Sequence, residues 1–169
     1  MTCNICDIIQ KKKKTKKVYE DSIMYAFLAE KPSVVGHTII ASKKHDTIIT
    51  QVEDEVLKKM FILGQHLSGI LFEASKSEGT NILLQNGSVA GQVEPHFMMH
   101  IIPRSQGDKI NFEWAQKKIP DEKMDEIQKM LELKPIEEKK IEPVIEKKEP
   151  EKMESKKENV LIKQLLRIP

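Results

Sequence analysis

The stretch from Glu53 to Ser77 constrains the fold of this chain more than any other. Val56, Leu57, Met60, Phe61, Leu63, Leu67, Ile70, Leu71 and Ala74 recur at the helical period and share one broad apolar face. Glu53, Asp54 and Glu55 stand where the helix dipole favours anions, and Gly79 suits the helix end. A helix with such a face must cover something apolar, and the segments around it read as strands. Val18–Glu20 and Ile23–Leu28 flank the turn Asp21-Ser22, and His37–Ser42 is rich in Thr and Ile. Thr80–Gln85 precedes the turn signal Asn86-Gly87, and His96–Ile102 ends at Pro103. One long helix among strands predicts an α+β domain. Its antiparallel sheet of about five strands is covered by that helix and by short flanking helices, the first within residues 4–11.

Composition divides the 169 residues further. The core-forming pattern fills residues 1–110. Residues 111–133 read as a helical extension, with a helix over Asp121–Leu133 and Pro120 near its start. Residues 134–158 hold eight Lys, eight Glu and three Pro, too little apolar surface to offset ordering entropy, so a charged linker is expected there. Val160, Leu161, Leu165, Leu166 and Ile168 restore amphipathic character in residues 159–169, as in a peptide that docks on its own domain or on a protein partner. Lys11 to Lys17 places six lysines in seven residues, which repel one another and belong on an exposed loop or hairpin tip; a phosphate-backbone contact is the other reading. The formal net charge of only +2 makes nucleic acid an unexpected partner. No stretch has the length of a membrane span, and the N-terminus lacks a secretory apolar run, so a cytoplasmic location is expected. The two cysteines, Cys3 and Cys6, are too few for a disulfide framework; their C-x-x-C spacing fits a metal site or a redox pair.

The chemistry concentrates in Ala90-Gly91-Gln92-Val93-Glu94-Pro95-His96-Phe97-Met98-Met99-His100-Ile101-Ile102-Pro103-Arg104. On a strand, alternate side chains share a face, so His96, Met98 and His100 project together while Phe97, Met99 and Ile101 enter an apolar layer. This stretch resembles the signature of the histidine-triad (HIT) family, His-x-His-x-His followed by apolar residues, with Gly-Gln before it and Pro-Arg after. Ala26-Phe27-Leu28, Pro32, Gly36-His37-Thr38 and Lys43-Lys44-His45 resemble the family's N-terminal half at the family's spacing.

The resemblance implies an α+β domain that dimerises through a shared sheet and binds a purine nucleotide. In that family the middle histidine attacks the α-phosphorus, and water or another acceptor resolves the nucleotidyl-histidine. An outer histidine and loop amides hold the phosphate oxygens. Carried over residue by residue, the nucleotide-binding set is Gln85, Gln92, His96 and His100. Met98 stands at the nucleophile's position, and a thioether has no basic nitrogen to form a phosphoramidate. Ala29 stands where the family usually has an Asp on the ribose hydroxyls; its neighbour Glu30 would face the other way on a strand. His100, about 6–7 Å further along the strand, is a candidate substitute nucleophile.

Three functions follow from the resemblance: a nucleotide-binding protein with lost or altered catalysis; an active phosphoramidate or dinucleoside polyphosphate hydrolase, or nucleotidyl transferase, using another residue; and a zinc-stabilised interaction module. The resemblance also implies structural zinc held by Cys3, Cys6, His45 and His96, with a redox dithiol as the alternative. His66, within the long helix, reads as a surface residue.

Overall fold

The computed structural model describes residues 3–133. The expected linker at 134–158 and terminal peptide at 159–169 lie outside the described residues. The chain forms two compact units, Met1–Trp114 and Ala115–Pro169.

In the first unit, α1 (Asn4–Ile9) is followed by β1 (Lys17–Glu20), β2 (Met24–Leu28) and β3 (Thr38–Ser42). Then come the long helix α2 (Asp54–Ser75), β4 (Gly79–Leu84) and β5 (Met98–Arg104). The five strands form one antiparallel sheet in the order β1-β2-β3-β5-β4. β1 and β2 meet through a short turn and β2 and β3 through the loop 29–37, whereas α2 and the loop after β4 make the longer connections. Those connections bring β5 between β3 and the edge strand β4. Among the described residues, no helix is long and apolar enough to cross a membrane.

Period-two alternation sends neighbouring residues of β5 to opposite faces. Phe97, Met99 and Ile101 pack beneath α2 with Met60, Leu67, Leu71, Ala26 and Ile40. Met98 packs on the other face with Cys3, Ile5, Ile8, Phe27 and Ile39, so α1 covers the side where the chemistry lies. α2 comes close to the sheet because Gly64 has no side chain. A Cβ there would lie 3.2 Å from the Met99 sulfur and 3.3 Å from Ile101 Cδ1.

Four boundaries differ from the sequence expectation. α2 ends at Ser75 with Lys76 in the left-handed conformation, and Gly79 opens β4 instead of closing the helix. The helix face is narrower than its pattern predicts: Met60, Gly64, Leu67 and Leu71 are buried, whereas Phe61 and Ile70 are exposed. Pro103 lies inside β5, opposite Thr80. The β3–β5 ladder stops at Thr38 and Ile101, so β5 is locally an edge there and tolerates the missing N–H. His96 precedes β5 instead of beginning it, its N–H donating to the Glu94 carbonyl at 2.8 Å. In the second unit, α3 (Asp121–Leu131) follows Pro120, and its described side chains are exposed.

Candidate functional site

Two groups of side chains carry chemical potential on the face covered by α1. The first begins at the N-terminus of the described chain. α1 starts immediately after Cys3 and includes Cys6, so one helical turn carries both thiols against the sheet. His45 lies in the loop after β3 and His96 in the approach to β5. One ligand atom from each of Cys3, Cys6, His45 and His96 comes within 4.8 Å of all the others. Cys3 Sγ lies 3.5 Å from His96 Nδ1, and Cys6 Sγ lies 3.6 Å from the same nitrogen and 3.1 Å from His45 Nδ1. A tetrahedral site with metal–sulfur arms of about 2.3 Å and metal–nitrogen arms of about 2.0 Å has S···N edges of about 3.6 Å. The two contacts at His96 match that edge, and two thiols with two imidazoles are the donor set a tetrahedral ion prefers.

His96 is fully buried and both of its ring nitrogens are committed. Nδ1 faces the two sulfurs, while Nε2 stands 2.8 Å from the Ser42 carbonyl, which fixes it as the N–H donor. Burial pushes the His96 pKa down, which keeps the ring neutral and able to ligate. Burial, followed by the hydrogen bond and charge of Cys3, pushes the Cys6 thiol up to about 11. A bound cation would reverse that preference by stabilising the thiolates.

The second group lines a cavity of about 680 Å³. Ile5, Ile8, Phe27 and Ile39 give it an apolar wall, and Gln85, Met98 and His100 come from the ends of β4 and from β5. His37 Nε2 is 2.9 Å from His100 Nδ1, and the Ser33 backbone N–H donates to His37 Nδ1 at 3.2 Å. That chain of contacts sets the tautomers. His37 Nδ1 accepts, so its Nε2 carries the proton and donates to His100 Nδ1. His100 must then carry its own proton on Nε2, which is buried and has no partner among the described residues. Burial, with His37 as a second cause, pushes the His100 pKa down to about 4, so the ring is neutral at pH 7. His100, which lines the cavity together with Met98, therefore holds a desolvated, uncharged N–H.

The structure divides the residues singled out in the sequence between these groups. Gln85, Met98 and His100 line the cavity; Gln92 and His96 do not. Gln92 knits the preceding loop together: its Oε1 accepts from the Gly87 N–H at 2.8 Å, and its Nε2 donates to the carbonyls of Thr47 at 2.8 Å and Glu94 at 3.0 Å. Gly91, at φ +89°, completes that loop, since a Cβ there would sit 2.5 Å from Gln85 Nε2. Ala29 and Glu30 both line the cavity. β2 ends at Leu28, so strand alternation does not turn Glu30 away. His66 is exposed on α2, apart from both groups. Sequence reasoning gave no role to His37, Ser33 or Lys13. Only the Gly36-His37-Thr38 match to the family pointed at His37, and nothing local marks it as the partner of a residue 63 positions away.

A family model described as the HIT domain matches residues 10–107, more than half of the chain. The chain belongs to the HIT family. An uncharacterized HIT-like protein of Methanocaldococcus jannaschii is 39% identical over 106 residues, which are 63% of this chain and 81% of that protein. A protein of Arabidopsis thaliana named as an adenylylsulfatase is 32% identical over 117 residues, 69% of this chain and 58% of that one. Among solved structures, a zinc-bound histidine-triad family protein of Mycobacterium smegmatis matches with a TM-score of 0.62 and 29% identity, covering 69% of this chain and 85% of that one. Like its HIT relatives, the protein has an antiparallel five-stranded sheet, and the cavity described above opens on it.

Proposed function

We propose that this HIT protein binds a purine nucleotide in the cavity and does not carry out the family's nucleotidyl transfer. The observation that carries the reading is the orphaned His100 Nε2–H beside Met98 in the cavity wall. A buried donor without a partner costs about 1–3 kcal/mol, which a ligand oxygen would recover. A phosphoryl oxygen fits that need, with Gln85 as a second polar contact and the wall of Ile5, Ile8, Phe27 and Ile39 as a surface for the base. Gln92 and His96 act from behind the wall, by holding the loop and the approach to β5.

Met98 occupies the nucleophile's position in this reading, and its sulfur cannot become a phosphoramidate. His100 does not replace it. Its Nδ1 lone pair is engaged by His37 and its Nε2 bears a proton, so no basic nitrogen faces the cavity. The metal cluster holds structural zinc. That ion would tie the N-terminus to the sheet and leave the cavity residues to act on the nucleotide. Free thiols in such a site fit a reducing, cytoplasmic setting. Ile82 on the edge strand β4 and Phe61, Ile62, Ile70 and Phe72 on α2 are exposed apolar side chains, and a second copy of the chain would cover them as a homodimer. Sedimentation of the full chain at the mass of one copy would discard the dimer.

Calorimetry with AMP and GMP, paired with turnover of a nucleoside phosphoramidate, tests the central reading. The expected result is saturable binding with no turnover, and an increase of about 10³-fold or more over background in Met98→His. Absence of binding at millimolar nucleotide would overturn the reading, as would wild-type turnover equal to that of Met98→His.

A further inference from the structure

A second hollow of about 440 Å³ adjoins the cavity. The two share Ala29, Glu30 and His37, so the same short segment after β2 and the same histidine form the wall between them. The character of the second hollow is different. Lys14, Thr15 and Lys16 of the basic loop line one side. Three of the loop's other four lysines have work elsewhere: Lys12 lies 3.8 Å from Asp7, Lys17 lies 3.0 Å from Glu20, and Lys13 donates to Asn4 Oδ1. Lys14 and Lys16 have no carboxylate partner among the described residues. Lys13 and Lys31 line the first cavity, so cations stand on both sides of the shared wall. Glu30 on the wall and Glu94 at the first cavity are the opposing charges, two carboxylates against four ammonium groups.

We infer that the ligand carries a second phosphoryl group, which reaches past Ala29 into the hollow lined by Lys14 and Lys16. This rests on the nucleotide reading above and narrows it from mononucleotides in general to nucleotides with two separated anionic groups. Ala29, which lines both hollows, has only a methyl side chain to set between them. His37 belongs to both hollows and touches His100, so a ligand held at His100 lies next to the entrance of the second one. Two lysines facing a phosphoryl group give strong, salt-sensitive attraction, while a neutral ribose or a single phosphate would leave them solvated. The second group could extend from the first phosphate or from a ribose hydroxyl. Both supply the same chemistry to the lysines.

The experiment is calorimetry on the full-length protein with AMP, ADP and adenosine 3′,5′-bisphosphate, repeated on the double variant Lys14→Gln, Lys16→Gln. Both lysines are exposed and leave the core untouched. At low salt, at least one doubly phosphorylated ligand should bind about tenfold more tightly than AMP, and the double variant should remove that advantage. AMP affinity should not change in the variant. A preference for ADP would assign a chain-linked group, and a preference for the bisphosphate a ribose-linked one. AMP binding with no gain from either second phosphate would overturn this inference and leave the nucleotide reading standing. So would a gain that survives the double variant. Failure of all three ligands to bind would remove both.

Discussion

The depressed pKa of His100 should cost the fold about 2 kcal/mol between pH 7 and pH 5, because the unfolded chain takes up a proton there that the fold refuses, and replacing the residue should abolish that loss. The ring sits on β5 between β3 and β4, at the position paired with Ile39 and Leu83, and burial with His37 beside it holds its pKa at about 4. The unfolded value is about 6.5. The native state therefore binds fewer protons than the unfolded state across the interval from 6.5 down to 4. Stability rises with pH where the unfolded state holds more protons, so His100 contributes its full share above about 6.5 and loses it progressively as pH falls towards 4. With those two values, linkage gives about 2 kcal/mol lost on going from pH 7 to pH 5. Urea unfolding of wild type and His100→Phe at both pH values isolates the effect. Titrating groups remote from His100 are common to both chains and cancel in the difference. The wild type should lose about 2 kcal/mol more than the variant. Equal acid sensitivity of the two chains would refute the argument, as would a ring titration by NMR near 6.5.

Two other perturbations test the remaining groups. Cys3→Ser removes one of two thiols from the four-residue cluster; purified wild type should hold about one zinc per chain, and the variant should lose metal and melt at least about 5–10 °C lower. Metal-free wild type with an unchanged melting temperature would remove zinc from the structure. Gly91→Ala forces a side chain onto φ +89° and against Gln85 Nε2, at a cost of about 1–3 kcal/mol, and it should displace Gln85 from the cavity wall. AMP affinity should fall several-fold in titration calorimetry; unchanged affinity would show that Gln85 makes no contact with the nucleotide.

Much of this arrangement was legible in the sequence because it rests on periodicity. The α2 pattern, the strand alternation at Phe97, Met98, Met99 and His100, and the C-x-x-C pair each follow from local rules of three or four residues. The misplaced details come from tertiary context. Pro103 reads as a strand breaker until β5 is known to have lost its β3 neighbour at that point. Phe61 and Ile70 read as core until the sheet proves narrower than the helix pattern allows. The pairing of His37 with His100 joins residues 63 positions apart through the β3–β5 ladder, and no local signal encodes it. Glu30 was turned away from the site by an alternation that had already ended at Leu28.

The surroundings of Met98 accommodate an apolar residue between the two histidines without disturbing either. Met98 is buried with Cys3, Ile5, Ile8, Phe27 and Ile39, and an imidazole placed there would need a hydrogen-bond partner among them. An unbranched thioether fills the same space with no such demand. The two flanking histidines are held by contacts that do not pass through position 98: His96 by the Ser42 carbonyl and the thiols, His100 by His37, which Ser33 orients in turn. Substitution at the centre therefore leaves both flanks in register, one facing the metal cluster and the other facing the cavity. On the proposed reading, a strand with Met98 at the nucleophile's position keeps the donor that would hold a phosphate and the cluster that anchors its approach. The proposed function therefore predicts that binding and transfer are separable on β5, and that Met98→His is the single change that rejoins them.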